Sequence, residues 1–280
     1  MLKKELILRN KREFVSQKHT YKLGLALSGG GARGFAHVGA LYAMEELGIY
    51  PDIIAGVSAG SIAASMYGSG LNPLEIMKLF MKSRFTDFCE LGVPKDGFFK
   101  MDGFRAFLKE STKITNLEEC KIPTVICATD LDNCTPVQWR TGELATRVSA
   151  SCSMPIVFKP VEIDGIKYVD GGVLHNLPAW AIREECEYLI GVNVSPLVHA
   201  TPYKDTLIDI AQRSYHLMSR TNAEGDLKLC DVVVSADAIA HLKVFNMKEK
   251  EKAFRTGYKA AMKALRNSPV IDQLKTDSKI

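Results

Sequence analysis

Ile53-Ile54-Ala55-Gly56-Val57-Ser58-Ala59-Gly60-Ser61-Ile62-Ala63-Ala64 is the stretch around which the rest of the chain is organised. A short apolar run enters a G-x-S-x-G turn and leaves it as a small-residue helix. A serine on so sharp a strand-to-helix turn sits in strained backbone, and bulk two residues to either side would clash, so Gly56 and Gly60 flank it. Upstream, Lys22-Leu23-Gly24-Leu25-Ala26-Leu27-Ser28 reads as a buried strand that ends in Gly29-Gly30-Gly31-Ala32-Arg33-Gly34. A helix follows, with Phe35, Val38, Leu41 and Leu47 at helical spacing and Gly48 as its stop. This β-α-β-α order predicts an α/β fold of three layers, a central, mainly parallel sheet flanked by helices.

Downstream, the pattern predicts helices over 73–84 and 101–110 and a buried strand over 123–130. A hairpin is expected over 161–169, turning at Asp164-Gly165, two residues suited to positive φ. Strands over 188–194 and 231–235 and a long helix over 203–222 come next. The helix over 248–265 is basic and amphipathic, with Phe254, Tyr258, Ala261 and Leu265 on one face; docking on the core is the expectation. One domain over 22–280, preceded by a basic extension over 1–21, accommodates all of this.

The bulk numbers narrow the class. With 46% hydrophobic and 24% charged residues the composition is that of a globular protein. No apolar run reaches the ~18 residues of a membrane span, and Leu6-Ile7-Leu8 is too short for a signal-peptide core; a cytoplasmic protein is expected. The net charge of +4 is concentrated in the first 22 residues, which hold seven Lys/Arg and two Glu. Such an end reads first as a solvated terminus, although it suits transient contact with the inner face of an anionic membrane. A nucleic-acid partner is not expected. Seven scattered cysteines without a C-x-x-C suggest neither a disulfide framework nor a zinc site.

The glycine loop at 29–34 fits G-x-G-x-x-G, the phosphate-binding turn of dinucleotide folds. Those folds need an acidic residue at the carboxyl end of the second strand, whereas Asp52 precedes that strand and the serine turn occupies its end. No Gly-Lys-Ser/Thr follows, so a Walker A loop fails too. The remaining use is anion stabilisation: exposed backbone N–H groups backed by the positive end of a helix. Because the loop and Ser58 end adjacent parallel strands, both belong at one edge of the sheet, which is the arrangement that acyl transfer requires.

Four motifs then occur in order: Gly29-Gly30-Gly31-Ala32-Arg33-Gly34, Gly56-Val57-Ser58-Ala59-Gly60, Ala150-Ser151-Cys152-Ser153-Met154-Pro155 and Asp170-Gly171-Gly172. The set resembles the patatin-like phospholipases over about residues 22–195, and is closest to the single-domain bacterial members. The resemblance implies a Ser-Asp dyad, with Ser58 as nucleophile and Asp170 as general base. It also implies oxyanion donors in the backbone of Gly30, Gly31 and Ala32, with Arg33 nearby. Gly29, Gly34, Gly56, Gly60, Gly171 and Gly172 would be supporting positions. The 150–155 segment has no evident chemistry and is expected to shape the wall of the site.

An unperturbed aspartate is a weak base, so Asp170 would need burial to raise its pKa. A histidine base is the alternative: the order Ser58, Asp170, His175 is formally that of a triad, while His37 is expected to pack under the loop. The implied substrate is a lipid acyl ester, with Phe98-Phe99 and the helix Ile76–Phe80 as acyl-chain contacts or plain core. No metal or organic cofactor is implied. Two other outcomes stay open. One is acyl transfer to a non-water acceptor, whose related serine enzymes carry histidine where Val57 stands. The other is a regulatory or binding protein retaining the fold. The oligomeric state is unknown from sequence.

Overall fold

The computed structural model describes residues 19–81, 90–91, 99–196, 206–239, 242 and 247–277. All but three residues of the expected basic extension over 1–21, together with Phe98 and the expected helical residues 82–84 and 203–205, lie outside them. In chain order the strands are β1 (Tyr21–Leu27), β2 (Ile53–Val57), β3 (Glu90–Leu91), β4 (Phe99–Lys100), β5 (Thr124–Asp130), β6 (Thr135–Trp139), β7 (Val161–Ile163), β8 (Ile166–Asp170), β9 (Cys186–Asn193) and β10 (Val232–Ser235). The α-helices are α1 (Phe35–Glu46), α2 (Ala59–Gly68), α3 (Pro73–Met81), α4 (Asp102–Thr112), α5 (Leu144–Ser151), α6 (Leu207–Leu227), α7 (Lys250–Leu265) and α8 (Pro269–Asp277).

Eight strands form one sheet in the order β10-β9-β1-β2-β5-β8-β7, with β6 paired to β5. The pairs from β10 to β5 are parallel; β5–β8, β7–β8 and β5–β6 are antiparallel. The parallel part explains its own sequence. Strands covered on both faces read as continuous apolar runs, and β2 and β5 are buried at every position. The Asp164-Gly165 turn has positive φ at both residues, 53° and 79°, so the hairpin forms as expected. Strand β6 and helix α8 had no sequence signal strong enough to be expected.

Side chains alternate between two unequal layers. Leu23, Leu25 and Leu27 of β1, Ile54 of β2 and Ile126 of β5 face a thick layer that includes α1, α2, α3, α4, α5, α7 and α8. Ala26, Ile53, Ala55, Val57, Val125 and Cys127 face a thin one, made by the segment 177–182 and Ala223 of α6. Asp52, whose place before β2 counts against the dinucleotide reading, accepts hydrogen bonds from the Lys22 and Leu23 amides (3.0 and 2.8 Å). It is spent at the amino end of β1, away from the glycine loop.

Helix α1 is buried almost all round because α7 crosses it backbone to backbone. A Cβ on Gly257 would lie 2.6 Å from Ala36 Cα, and one on Gly39 would lie 2.8 Å from the Tyr258 amide. This rotates α7 relative to expectation. Its buried stripe is Ala253, Gly257, Ala261 and Leu265, of which the first three are small and permit the approach, while Phe254 and Tyr258 flank it against Tyr42, both ring pairs at 5.9 Å. Overpacking such a contact costs about 1–3 kcal/mol or more. Gly257→Val is therefore expected to lower Tm by several degrees, read by thermal unfolding; an unchanged Tm would show that the helices separate freely.

Candidate active site

Strand register brings two distant motifs together. Val57 stands level with Cys127 of β5, and Asp170 with Ala128, the next residue. Strand β6 occupies the opposite edge of β5 over Asp130–Ile126, so β2 and β8 share one edge and run towards each other. Ser58 and Asp170 stand where they meet.

Ser58 adopts φ 51° and ψ −122°, immediately before α2. Two glycines make the turn possible. A Cβ on Gly56 would lie 2.6 Å from Ser61 Cα, and one on Gly60 would lie 2.7 Å from the Ser28 carbonyl oxygen. The 150–155 segment does more than shape a wall. The Ser58 amide donates to Ser151 Oγ (2.9 Å), whose hydroxyl donates to the Cys127 carbonyl (2.6 Å). The Asp170 amide donates to the Ser153 carbonyl (3.0 Å). One short segment thereby ties down both residues, through the Ser151 hydroxyl and the Ser153 main-chain oxygen.

The Asp170 carboxyl is 2% exposed. Burial raises its pKa from 3.8 to about 6, against hydrogen bonds from the Ser58 hydroxyl, the Gly172 amide and the Tyr215 hydroxyl. The Gly172 amide lies 2.8 Å from Oδ1. Tyr215 was not foreseen: it comes from α6, 45 positions downstream of Asp170, and its own pKa is pushed well up, burial first and then Asp170. Helix α6 also holds the Asp-Gly-Gly turn. Asn222 Nδ2 donates to the Gly172 and Val173 carbonyls at 3.0 Å each, and its Oδ1 accepts from the Asn176 amide (3.0 Å).

Beside Ser58, the glycine loop closes a tight turn in which the Arg33 amide donates to the Gly30 carbonyl (3.3 Å). The amides of Gly30, Gly31 and Ala32 take no part in the described backbone hydrogen bonds. Arg33 is fully buried, and its Nε braces the same Gly30 carbonyl (3.1 Å). Burial, then Arg220, lowers its pKa to about 9.

Neither His175 nor His37 is hydrogen-bonded to Ser58 among the described contacts. His175 pairs through Nδ1 with Asp226 (2.8 Å), whose other oxygen accepts from the Trp180 amide (2.9 Å). His37 is buried beneath the loop and donates Nε2–H to the Ser28 carbonyl (2.7 Å); burial depresses its pKa to about 4. A cavity of about 170 Å³ opens beside Ser58 and Asp170. Val38, Ile62, Ile76, Phe80, Met101 and Phe104 line it, which places the Ile76–Phe80 helix at the site as well as in the core.

The model of the patatin-like phospholipase family matches residues 25–182, more than half of the chain. The chain belongs to this family. Lysophospholipase NTE1 of Meyerozyma guilliermondii is 31% identical over 195 residues, covering 66% of this chain and 14% of that protein. Lysophospholipase NTE1 of Saccharomyces cerevisiae is 27% identical over 223 residues, covering 71% of this chain and 13% of that protein. The chain thus spans about one seventh of the length of these curated relatives. The crystal structure of VipD from Legionella pneumophila matches 91% of this chain and 67% of that chain, with a TM-score of 0.50 at 14% identity. That likeness is one of fold, and it agrees with a mainly parallel sheet between helical layers.

A folded-state pKa near 6 for a carboxyl of ordinary value 3.8 means that ionised Asp170 opposes folding. The penalty is absent below about pH 4, grows through pH 4–6 and is full above, at about 3 kcal/mol. Asp170→Asn is expected to be more stable than the wild type at pH 8 and to lose that advantage by pH 4, as measured by urea unfolding at both values. A less stable variant at pH 8 would show that the carboxylate is a net stabiliser.

Proposed function

We propose that this chain is a serine lipid acyl hydrolase that cleaves carboxylic esters of phospholipids or related acyl lipids. The observation that carries the reading is the Ser58 hydroxyl, on a positive-φ turn, hydrogen-bonded to a buried carboxyl of raised pKa at the wall of an apolar cavity. Family membership and the lysophospholipase relatives support it.

Ser58 Oγ attacks the ester carbonyl while Asp170 takes its proton, forming a tetrahedral intermediate. The new oxyanion faces the Gly30, Gly31 and Ala32 amides, donors of a kind worth roughly 3–4 kcal/mol each when aligned with developing charge. Arg33, held against Gly30, keeps the loop positive. Collapse expels the alcohol with the proton from Asp170 and leaves an acyl-Ser58. Water, deprotonated by Asp170, then releases the fatty acid. A carboxyl of pKa near 6 is better matched to this work at neutral pH than one near 4. Gly29, Gly34, Gly171 and Gly172 keep the reacting groups close. No metal or organic cofactor takes part.

Val57, in place of histidine, favours water over another acyl acceptor. The reading takes 22–280 as one catalytic domain and 1–21 as a basic extension suited to transient contact with an anionic inner-membrane surface from the cytoplasm. Among the described residues no helix is long and apolar enough to cross a membrane.

Fluorophosphonate labelling with intact-mass detection tests the nucleophile: one label per wild-type chain and none on Ser58→Ala, with ester hydrolysis reduced at least about 10³-fold. A labelled Ser58→Ala protein would sink the assignment. The pH–rate profile tests the base. Activity should fall on the acid side near pH 6 as Asp170 protonates, and Tyr215→Phe, which removes a hydrogen bond that lowers this pKa, should move the limb to higher pH. A limb that stays in place in Tyr215→Phe would separate Asp170 from the rate.

A further inference from the structure

The cavity beside Ser58 has two kinds of wall, built by different parts of the fold. Val38, Ile76, Phe80 and Phe104 belong to the thick layer and face it with carbon alone. Asn176, Ser195 and His216 also line it. Asn176 follows the Asp-Gly-Gly turn, Ser195 lies two residues past the end of β9, and His216 belongs to α6.

These three residues are held by their main chains. The Asn176 amide donates to Asn222 Oδ1 (3.0 Å) and its carbonyl accepts from the Gly29 amide (2.9 Å). The Ser195 amide donates to Asn193 Oδ1 (2.9 Å), and the His216 carbonyl accepts from the Ser219 hydroxyl (3.2 Å). The Asn176 side-chain amide, the Ser195 hydroxyl and the His216 ring nitrogens have no hydrogen-bond partner among the described residues, although Asn176 and Ser195 are each only 4% exposed. Buried polar groups are satisfied as a rule, and these open on the cavity, so its contents complete them.

Asn176 stands beside the reacting pair. A Cβ on Gly29 would lie 2.3 Å from Asn176 Oδ1 and 3.3 Å from Ser58 Cβ. One on Gly172 would lie 2.9 Å from the same oxygen and 3.1 Å from Asp170 Oδ1. Ser195 is drawn to the glycine loop because the preceding Val194 amide donates to Ser28 Oγ (3.0 Å). His216 follows Tyr215, which is hydrogen-bonded to Asp170. An amide, a hydroxyl and a neutral imidazole share one property: each both donates and accepts. Burial first, then Arg33, Arg220 and Arg213, keep His216 neutral with a pKa of about 4. An alcohol hydroxyl also does both, whereas an ionised phosphate accepts and a quaternary ammonium does neither.

We infer that Asn176, Ser195 and His216 form a subsite for free hydroxyls on the alcohol part of the ester, so that the enzyme prefers acyl esters of polyols, such as monoacylglycerols, to esters of simple alcohols. The inference rests on the hydrolase reading and deepens it. The acyl chain then lies among Val38, Ile76, Phe80 and Phe104, and the alcohol departs past Asn176 on the Asp170 side. Such a subsite discriminates by what goes unpaired. An ester without hydroxyls displaces solvent and leaves the three groups with nothing to bond.

The test compares 1-octanoylglycerol with propyl octanoate, both as monomers, in the wild type, Ser195→Ala, His216→Phe and Asn176→Ala. The two esters share the acyl chain and the length of the alcohol and differ only in its free hydroxyls. The readout is the ratio of their kcat/KM values in each protein, divided by their ratio in alkaline hydrolysis. A general loss of active enzyme does not move it. The wild type should favour the glycerol ester at least about tenfold, and each variant should lower the ratio about fivefold. Ser195→Ala and His216→Phe keep the test decisive if Asn176→Ala, packed against two glycines, fails to fold. A wild-type ratio near one would overturn the subsite and mark the polar wall as a seat for solvent. A preference unchanged in both Ser195→Ala and His216→Phe would overturn it too. Fluorophosphonate labelling separates the two readings. A labelled Ser58 with a ratio near one removes the subsite alone, whereas no labelling and no cleavage of either ester removes the hydrolase reading with it.

Discussion

One edge of β5 is shared by two strands running in opposite senses, and the geometry of the site follows from that constraint. Strand β2 is parallel to β5 and β8 antiparallel, so their carboxyl ends meet at Cys127 and Ala128. A hydroxyl and a carboxyl from motifs more than a hundred residues apart are set side by side by backbone register alone. Ser151 secures the meeting point, because its one hydroxyl accepts from the Ser58 amide and donates to the Cys127 carbonyl. Losing it would leave two buried backbone groups short of a partner, which costs far more than one exposed hydrogen bond is worth.

Rigidity around this junction comes from packing on the thick side of the sheet. The glycine loop runs straight into α1, and α7 lies against α1 at the closest approach that two backbones permit. Small residues in both helices therefore fix where the loop amides point. The apolar cavity lies on the same flank, and its volume is what remains between α1, α2, α3 and α4 after the core has filled.

Much of this was legible in the chain. Strands β1, β2 and β5 announce themselves because burial on both faces makes them uniformly apolar, and Gly56 and Gly60 mark the serine turn because no other residue fits between α2 and the end of β1. Asp170 was legible only through the ordered set of motifs, since an aspartate before two glycines is an ordinary turn. Tyr215 and Asn222 were not legible. They sit on a mixed polar-apolar helix with nothing in their local pattern to separate a residue facing the site from one facing solvent. The inward stripe of α7 was misplaced because large apolar residues draw the eye, while a backbone-to-backbone crossing selects glycine and alanine.

The thin layer of the fold has a consequence of its own. On that face the sheet is closed by 177–182 and by α6, and α6 simultaneously touches the carboxyl through Tyr215, clamps the turn that carries it and borders the cavity with His216 and Ser219. The strand ends that carry Ser58 and Asp170 are thus completed by a helix that lies more than thirty residues further along the chain. Any change on that face of α6 therefore acts on the Asp170 carboxyl and on the cavity together.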